Sequence, residues 1–187
     1  MDYEKVYKKA FENKSYNSDH SISYGKAIDF LLNLEQQNSI NSISDIGSGN
    51  GNLIKKLPKE KNIFSYDLEC FYDAKRFDNV FFQKMNLSSY SDLEKLKKTD
   101  LLYCLDVLEH IEEKHIDSIL KKFSEKCNFC FLTIANHSDI INGVELHLIQ
   151  ENEIFWNNKI KQFFEIKHFE KAYDDRLYLY QLSTINS

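Results

Sequence analysis

The sequence predicts a doubly wound α/β domain: a seven-stranded sheet, mostly parallel, that ends in an antiparallel hairpin. Three observations carry this. Five short apolar runs alternate with helical patterns, as in parallel strands joined by helical crossovers. Three of the chain's five glycines fall in Gly47-Ser48-Gly49-Asn50-Gly51, between the first strand and the segment that follows it. A turn there lets backbone approach a ligand where side chains would collide. The last two strand-like runs are separated only by Asp174-Asp175-Arg176, too short a link for a parallel crossover, so they pair antiparallel.

The 187 residues suit one domain over 1–187, with N-terminal helices over 1–37 and a core over 38–187. Val6, Tyr7, Ala10 and Phe11 recur at helical spacing within residues 2–13. A second helix covers 21–37, with Ala27, Ile28, Leu31, Leu32 and Leu34 on one side and Ser21 or Ser23 as its cap. The first strand is 42–46, and a short helix after the glycines stops near Pro58. Strands at 62–66, 80–83 and 101–105 alternate with helices at 69–77 and 90–98. An amphipathic helix over 110–126 turns Ile111, His115, Ile116, Ile119, Leu120 and Phe123 inward. Residues 129–134 form an unbroken apolar run, as in a strand covered on both faces. A polar loop over 136–150, a helix over 150–163 and strands over 164–173 and 177–184 complete the chain.

Composition narrows the function. The net charge is −5, and lysines alternate with acids, as in Lys59-Glu60-Lys61. That pattern is a solvated face and argues against a nucleic-acid partner. No stretch approaches the ~20 apolar residues that span a bilayer, so no membrane insertion is expected. Met1-Asp2-Tyr3-Glu4-Lys5 lacks the apolar core of a signal peptide, which predicts a cytoplasmic protein with reduced cysteines. Cys127 and Cys130 form one C-x-x-C pair without a second, inside an expected buried strand. They are read as core thiols, and no metal site is expected.

The glycine loop departs from the dinucleotide fingerprint, because its third glycine comes one residue early. A path through Gly47, Gly49 and Gly51 suits a ligand that lies along the loop and carries no phosphate. Asp45, at the end of the first strand, favours an ammonium or sulfonium. Asp67, 20 residues past Gly47, ends the second strand, where a carboxylate can accept from both hydroxyls of a ribose; Glu69 is its neighbouring candidate. After the third strand, Asn86 is placed to meet the edge of an adenine, with Met85 or Leu87 over its face. The fourth strand runs into Leu105-Asp106-Val107-Leu108-Glu109-His110-Ile111.

The glycine loop with Asp45, then Asp67, then this Asp106-to-Ile111 segment resembles the class I S-adenosylmethionine-dependent methyltransferases, with similarity to the small quinone-biosynthesis branch. The likeness spans about residues 21–182. It implies a Rossmann-like fold and S-adenosylmethionine as cofactor. Asp45, Gly47, Ser48, Gly49 and Gly51 would line its methionine part, Asp67 would hold the ribose hydroxyls, and Leu68 would sit against the adenine. Asn86 stands where relatives often carry Asp toward the adenine amino group. Leu105 and Asp106 would lie beneath the transferable methyl.

The acceptor is read from the histidines. His137 and His147 bracket the loop after the fifth strand, where the resemblance places acceptor-binding residues. His147, or else His137, is the candidate base for an O- or N-methyl transfer; a hydrogen bond that fixes the loop accounts for His147 equally well. Glu109 is read as complementing a helix dipole, His110 and His115 as packing residues and Trp156 as core. His20 and the Tyr-rich start of the chain (Tyr3, Tyr7, Tyr16, Tyr24) stand as a lid or as packing. With no inserted acceptor domain, the expected partner is a small polar molecule, a metabolite or sugar building block. Two rivals are a non-catalytic module that binds the cofactor or a partner, and a nicotinamide-dependent oxidoreductase.

Overall fold

The computed structural model describes residue 6 and residues 21–141 and 143–185. The helix expected over 2–13, apart from Val6, and the loop around His20 with Tyr3, Tyr7 and Tyr16 lie outside the described residues. Helix α1 (Ser21–Glu35) leads to β1 (Ser42–Ile46), β2 (Asn62–Asp67), β3 (Val80–Lys84), α2 (Tyr90–Leu93) and β4 (Leu101–Leu105). Then come α3 (Glu113–Lys126), β5 (Phe129–Ala135), the short strands β6 (Ile140–Ile141) and β7 (Val144–Glu145), α4 (Glu153–Ile160), β8 (Phe164–Ala172) and β9 (Leu177–Thr184).

Among the described residues the main sheet has seven strands in the order β3-β2-β1-β4-β5-β9-β8. The first five are parallel, and β9 lies antiparallel between β5 and β8. The chain starts in the middle of the sheet, runs to one edge and returns to build the other half. This reversal opens a crevice at the carboxyl ends of β1 and β4.

Alternation along the strands makes two cores. Leu101, Tyr103 and Phe131 face α1, packing with Ala27, Phe30, Leu31 and Ile43. Leu102, Cys104, Cys130 and Leu132 face α3 and α4, packing with Ile116, Leu120, Phe123 and Trp156. The strands are therefore covered on both faces, and their apolar runs need no polar alternate. Asp100 Oδ2 fixes the start of the central pair, accepting from the Asn41 and Ser42 amides and the Ser42 hydroxyl at 2.9–3.0 Å.

Several helices are shorter than the sequence predicts. The one after the glycines is a single 3-10 turn at Ile54–Lys56; Asn and Gly are poor helix formers, and Pro58 blocks extension. Residues 69–77 keep one 3-10 turn, Ala74–Arg76, because the Tyr72 ring turns inward beneath Gly51. Helix α3 starts at Glu113, and Leu108–His110 is a separate 3-10 turn ended by extended Ile111. In α1, Leu32 is 53% exposed and Phe30, at 5%, takes the inward place. Ser23 lies inside that helix, so it is not the cap. Asn152 caps α4, its Oδ1 accepting from the Ile154 and Phe155 amides. The 136–150 loop contains the β6–β7 ribbon. Cys104, Cys127 and Cys130 are buried free thiols, as expected of core residues, and Cys70 is exposed. No described helix is long and apolar enough to cross a membrane.

Candidate functional site

The first half of the candidate site is built where β1 ends. The Gly47 and Ser48 amides both donate to the Tyr66 carbonyl, at 2.8 and 3.1 Å, bending the loop over the end of β2. Gly47 (φ +71°) and Gly51 (φ +69°) lie in the left-handed region. A Cβ at Gly47 would sit 2.3 Å from Val107 Cγ2, and one at Gly51 would sit 2.9 Å from the Tyr72 ring. Both positions therefore require glycine for conformation and for space. Beneath the loop, the Tyr72 hydroxyl donates to Ser65 Oγ, which donates to Ser48 Oγ, each at 2.8 Å. Sequence reasoning missed Tyr72 and Ser65, because neither has a motif position; only the fold brings them under the glycines.

Asp67 accepts from the Gly49 amide (2.7 Å) and the Leu68 amide (2.6 Å), one on each carboxylate oxygen. The Glu69 amide also bonds this carboxylate, whose two oxygens together can accept about four hydrogen bonds. Burial pushes its pKa up to about 6, against the pull of those amides. Asp45 is 3% exposed, and its Oδ2 has no partner among the described residues. Burial, reinforced by the charge of Asp67, pushes its pKa up to about 7.

The predicted adenine contacts fare differently. Asn86 is exposed, and its side-chain oxygen already accepts from the Ser88 amide at 2.9 Å. The amide oxygen expected to meet an adenine amino group therefore caps a turn. Met85 and Leu87 are buried in the α3-side core. Leu68 and Leu105 remain partly exposed. Asp106 sits directly after β4 with φ +55°, and its Oδ1 accepts from the Thr133 hydroxyl at 2.6 Å. Loops from β1 and β4 thus meet at the Gly47–Val107 contact.

The second half lies at the ends of β4 and β5. Glu109 is fully buried, where the sequence reading placed it as a charge complementing a helix terminus. Its Oε1 accepts from the Ala135 amide at 2.8 Å, and Oε2 has no partner among the described residues. Burial, with the charges of Asp106 and Asp139, holds its pKa well above the usual carboxylate range. His110 Nδ1 lies 3.0 Å from the Leu146 carbonyl, and His147 Nδ1 is bonded to the His137 carbonyl. A carbonyl only accepts, so both Nδ1 atoms carry hydrogen and Nε2 holds the lone pair. The His147 ring centroid lies 4.6 Å from that of His110 and 4.9 Å from that of His137. One ligand-type atom from each of Glu109, His110 and His147 lies within 4.8 Å of the others. His147 is buried, and burial lowers its pKa although the His137 carbonyl opposes this, which favours the neutral ring. His137 is only partly buried. His115 is partly buried on α3, where the sequence reading made it a core residue. The sequence hid this cluster because His147 joins the other two only through the loop fold, with the Ile149 amide donating to the Glu109 carbonyl at 3.0 Å.

No family model and no curated protein sequence matches the chain. Solved structures do. The N-terminal domain of EvdMO1, determined in the presence of S-adenosylhomocysteine and D-fucose, aligns over 98% of this chain and 97% of its own with a TM-score of 0.62 at 14% identity. DhpI, in complex with S-adenosylhomocysteine, aligns over 97% and 94% with a TM-score of 0.67 at 10% identity. The chain has the class I methyltransferase fold. A Burkholderia thailandensis 1,6-didemethyltoxoflavin N1-methyltransferase, with its substrate and S-adenosylhomocysteine bound, aligns over 97% and 87% with a TM-score of 0.76 at 9% identity. In this class I frame, the resemblance expects the donor at the glycine loop and the acceptor toward the 136–150 loop.

Proposed function

We propose that the protein is an S-adenosylmethionine-dependent methyltransferase that acts on an oxygen or nitrogen of a small polar molecule, a metabolite or sugar building block. One observation carries the reading: the buried, unpartnered Asp45 Oδ2 at the mouth of a glycine loop. A buried carboxylate without a donor is costly, and a cationic, hydrogen-bonding ligand along the loop answers it. The fit extends to Asp67, whose carboxylate at the end of β2 suits ribose hydroxyls. Three structural neighbours that hold S-adenosylhomocysteine support the same ligand class.

The cofactor supplies an activated methyl group on a sulfonium. The chain's own work is to align the nucleophile and exclude water. Leu105 and Asp106 form the floor between the two halves, and His137 and His147 face the acceptor. A neutral imidazole at His147 offers its Nε2 lone pair either to an acceptor proton or to a cation that carries the acceptor.

Calorimetry with S-adenosylhomocysteine and with NAD tests the donor. Saturable binding of the first and none of the second is expected; the reverse would make the protein an oxidoreductase. Labelled methyl transfer from S-adenosylmethionine into fractionated metabolite pools tests the reaction. Donor binding without transfer to any pool would make the chain a non-catalytic binding module.

A further inference from the structure

We propose that Glu109, His110 and His147 bind one divalent transition-metal cation, which holds a hydroxyl oxygen of the acceptor over the donor methyl. The cation site stands on geometry alone; its part in transfer rests on the methyltransferase reading above. One carboxylate oxygen and two imidazole nitrogens lie within 4.8 Å of one another. Bonds of about 2.0–2.2 Å to such a cation place neighbouring ligands about 3–3.5 Å apart, so small side-chain rotations close the set. Two histidines with one carboxylate suit zinc, manganese, iron or cobalt better than calcium or magnesium, and three protein ligands leave positions open for substrate oxygen.

Two further observations point to a ligand. Glu109 Oε2 is fully buried without a partner among the described residues. Protonation does not answer it, since that only turns an unmet acceptor into an unmet donor. Both imidazoles are also anchored through Nδ1 to backbone carbonyls, Leu146 and His137. That arrangement fixes the tautomer and leaves Nε2 as the lone-pair nitrogen, as metal-ligating histidines are held. Asp106 and Asp139 add negative charge around Glu109, which favours a cation over a second neutral group.

The site stands at the carboxyl ends of β4 and β5, beside Asp106. A hydroxyl bound there becomes more acidic. It gives its proton to His137 or to solvent, and its oxygen bonds to the methyl carbon. The carbon–sulfur bond breaks with its electrons passing to sulfur, leaving a neutral thioether. An acceptor with two adjacent hydroxyls, as in a sugar, fills two open positions at once and is the substrate class this site selects.

The test titrates the metal-stripped protein with Co2+, followed by its visible absorption, and repeats the titration with Zn2+ as competitor. One Co2+ per chain is expected. Glu109→Gln and His147→Gln should weaken binding at least a hundredfold, while S-adenosylhomocysteine affinity stays within about threefold. Glu109 is buried, so the comparison is repeated with His110→Gln at a partly exposed position. No stoichiometric Co2+ binding, or binding that survives these substitutions, overturns the cation site. Loss of S-adenosylhomocysteine binding by the unsubstituted protein overturns the donor reading instead.

Discussion

Single atoms decide the donor loop. A methyl group at Gly47 would meet Val107 at 2.3 Å on a left-handed backbone, so Gly47→Ala should lower stability by about 2–4 kcal/mol in urea unfolding. Asp45 and Asp67 set a pH dependence. Their folded pKa values, about 7 and about 6, lie above the ordinary 3.8. The folded chain therefore holds protons that the unfolded chain has already released. Their contribution to stability is fully present below about pH 4 and is lost as pH rises toward 7. The cofactor-free protein should lose more stability between pH 5 and pH 7.5 than Asp45→Asn does, as urea midpoints at the two pH values will show. Asp45, Asp67 and the glycines were legible because each residue type answers a local demand at a strand end. Glu109 was visible as a letter but misread as a surface charge, since it is fully buried. Whether a Glu near a turn faces water or the interior depends on the Ala135 amide one strand away.

The strands were read within a residue or two, because a two-sided core imposes mostly apolar runs such as Phe129–Ala135, in which Thr133 is the one hydroxyl. The helices were less legible. Periodicity suggested one helix from His110 onward, but the buried Glu109 and the bond from His110 to Leu146 hold Leu108–His110 as its own turn. Two substitutions test how elements are joined. Asp100→Ala removes the shared acceptor of the Asn41 and Ser42 amides and the Ser42 hydroxyl. It should cost about 2–3 kcal/mol in chemical denaturation. In α1, exposed Gly25 has nothing within 4 Å of an added Cβ. Gly25→Ala should therefore stabilise the protein by about 0.5–1 kcal/mol in the same measurement.

At the scale of the molecule, the sheet formed by the described residues has two edge strands, β3 and β8. Strand β8 has Glu165, Lys167, His168 and Lys171 exposed along it and an irregular register between Ile166 and His168. Charges and irregularity discourage a second copy from adding a strand. Replacing Glu165 and Lys167 together by valine should raise light scattering during incubation while leaving the unfolding midpoint nearly unchanged. The loop over 136–150 has a different consequence. It leaves the sheet after Ala135, returns before α4, and is tied to the β4 turn through Glu109, Leu146 and Ile149. The glycine loop is braced separately, by Tyr66, Asp67 and the Tyr72–Ser65–Ser48 chain. On the methyltransferase reading proposed above, natural selection can rewrite one patch of chain to change what is modified without disturbing how the reagent is held. Such a division lets an architecture outlive nearly all recognisable ancestry in its letters.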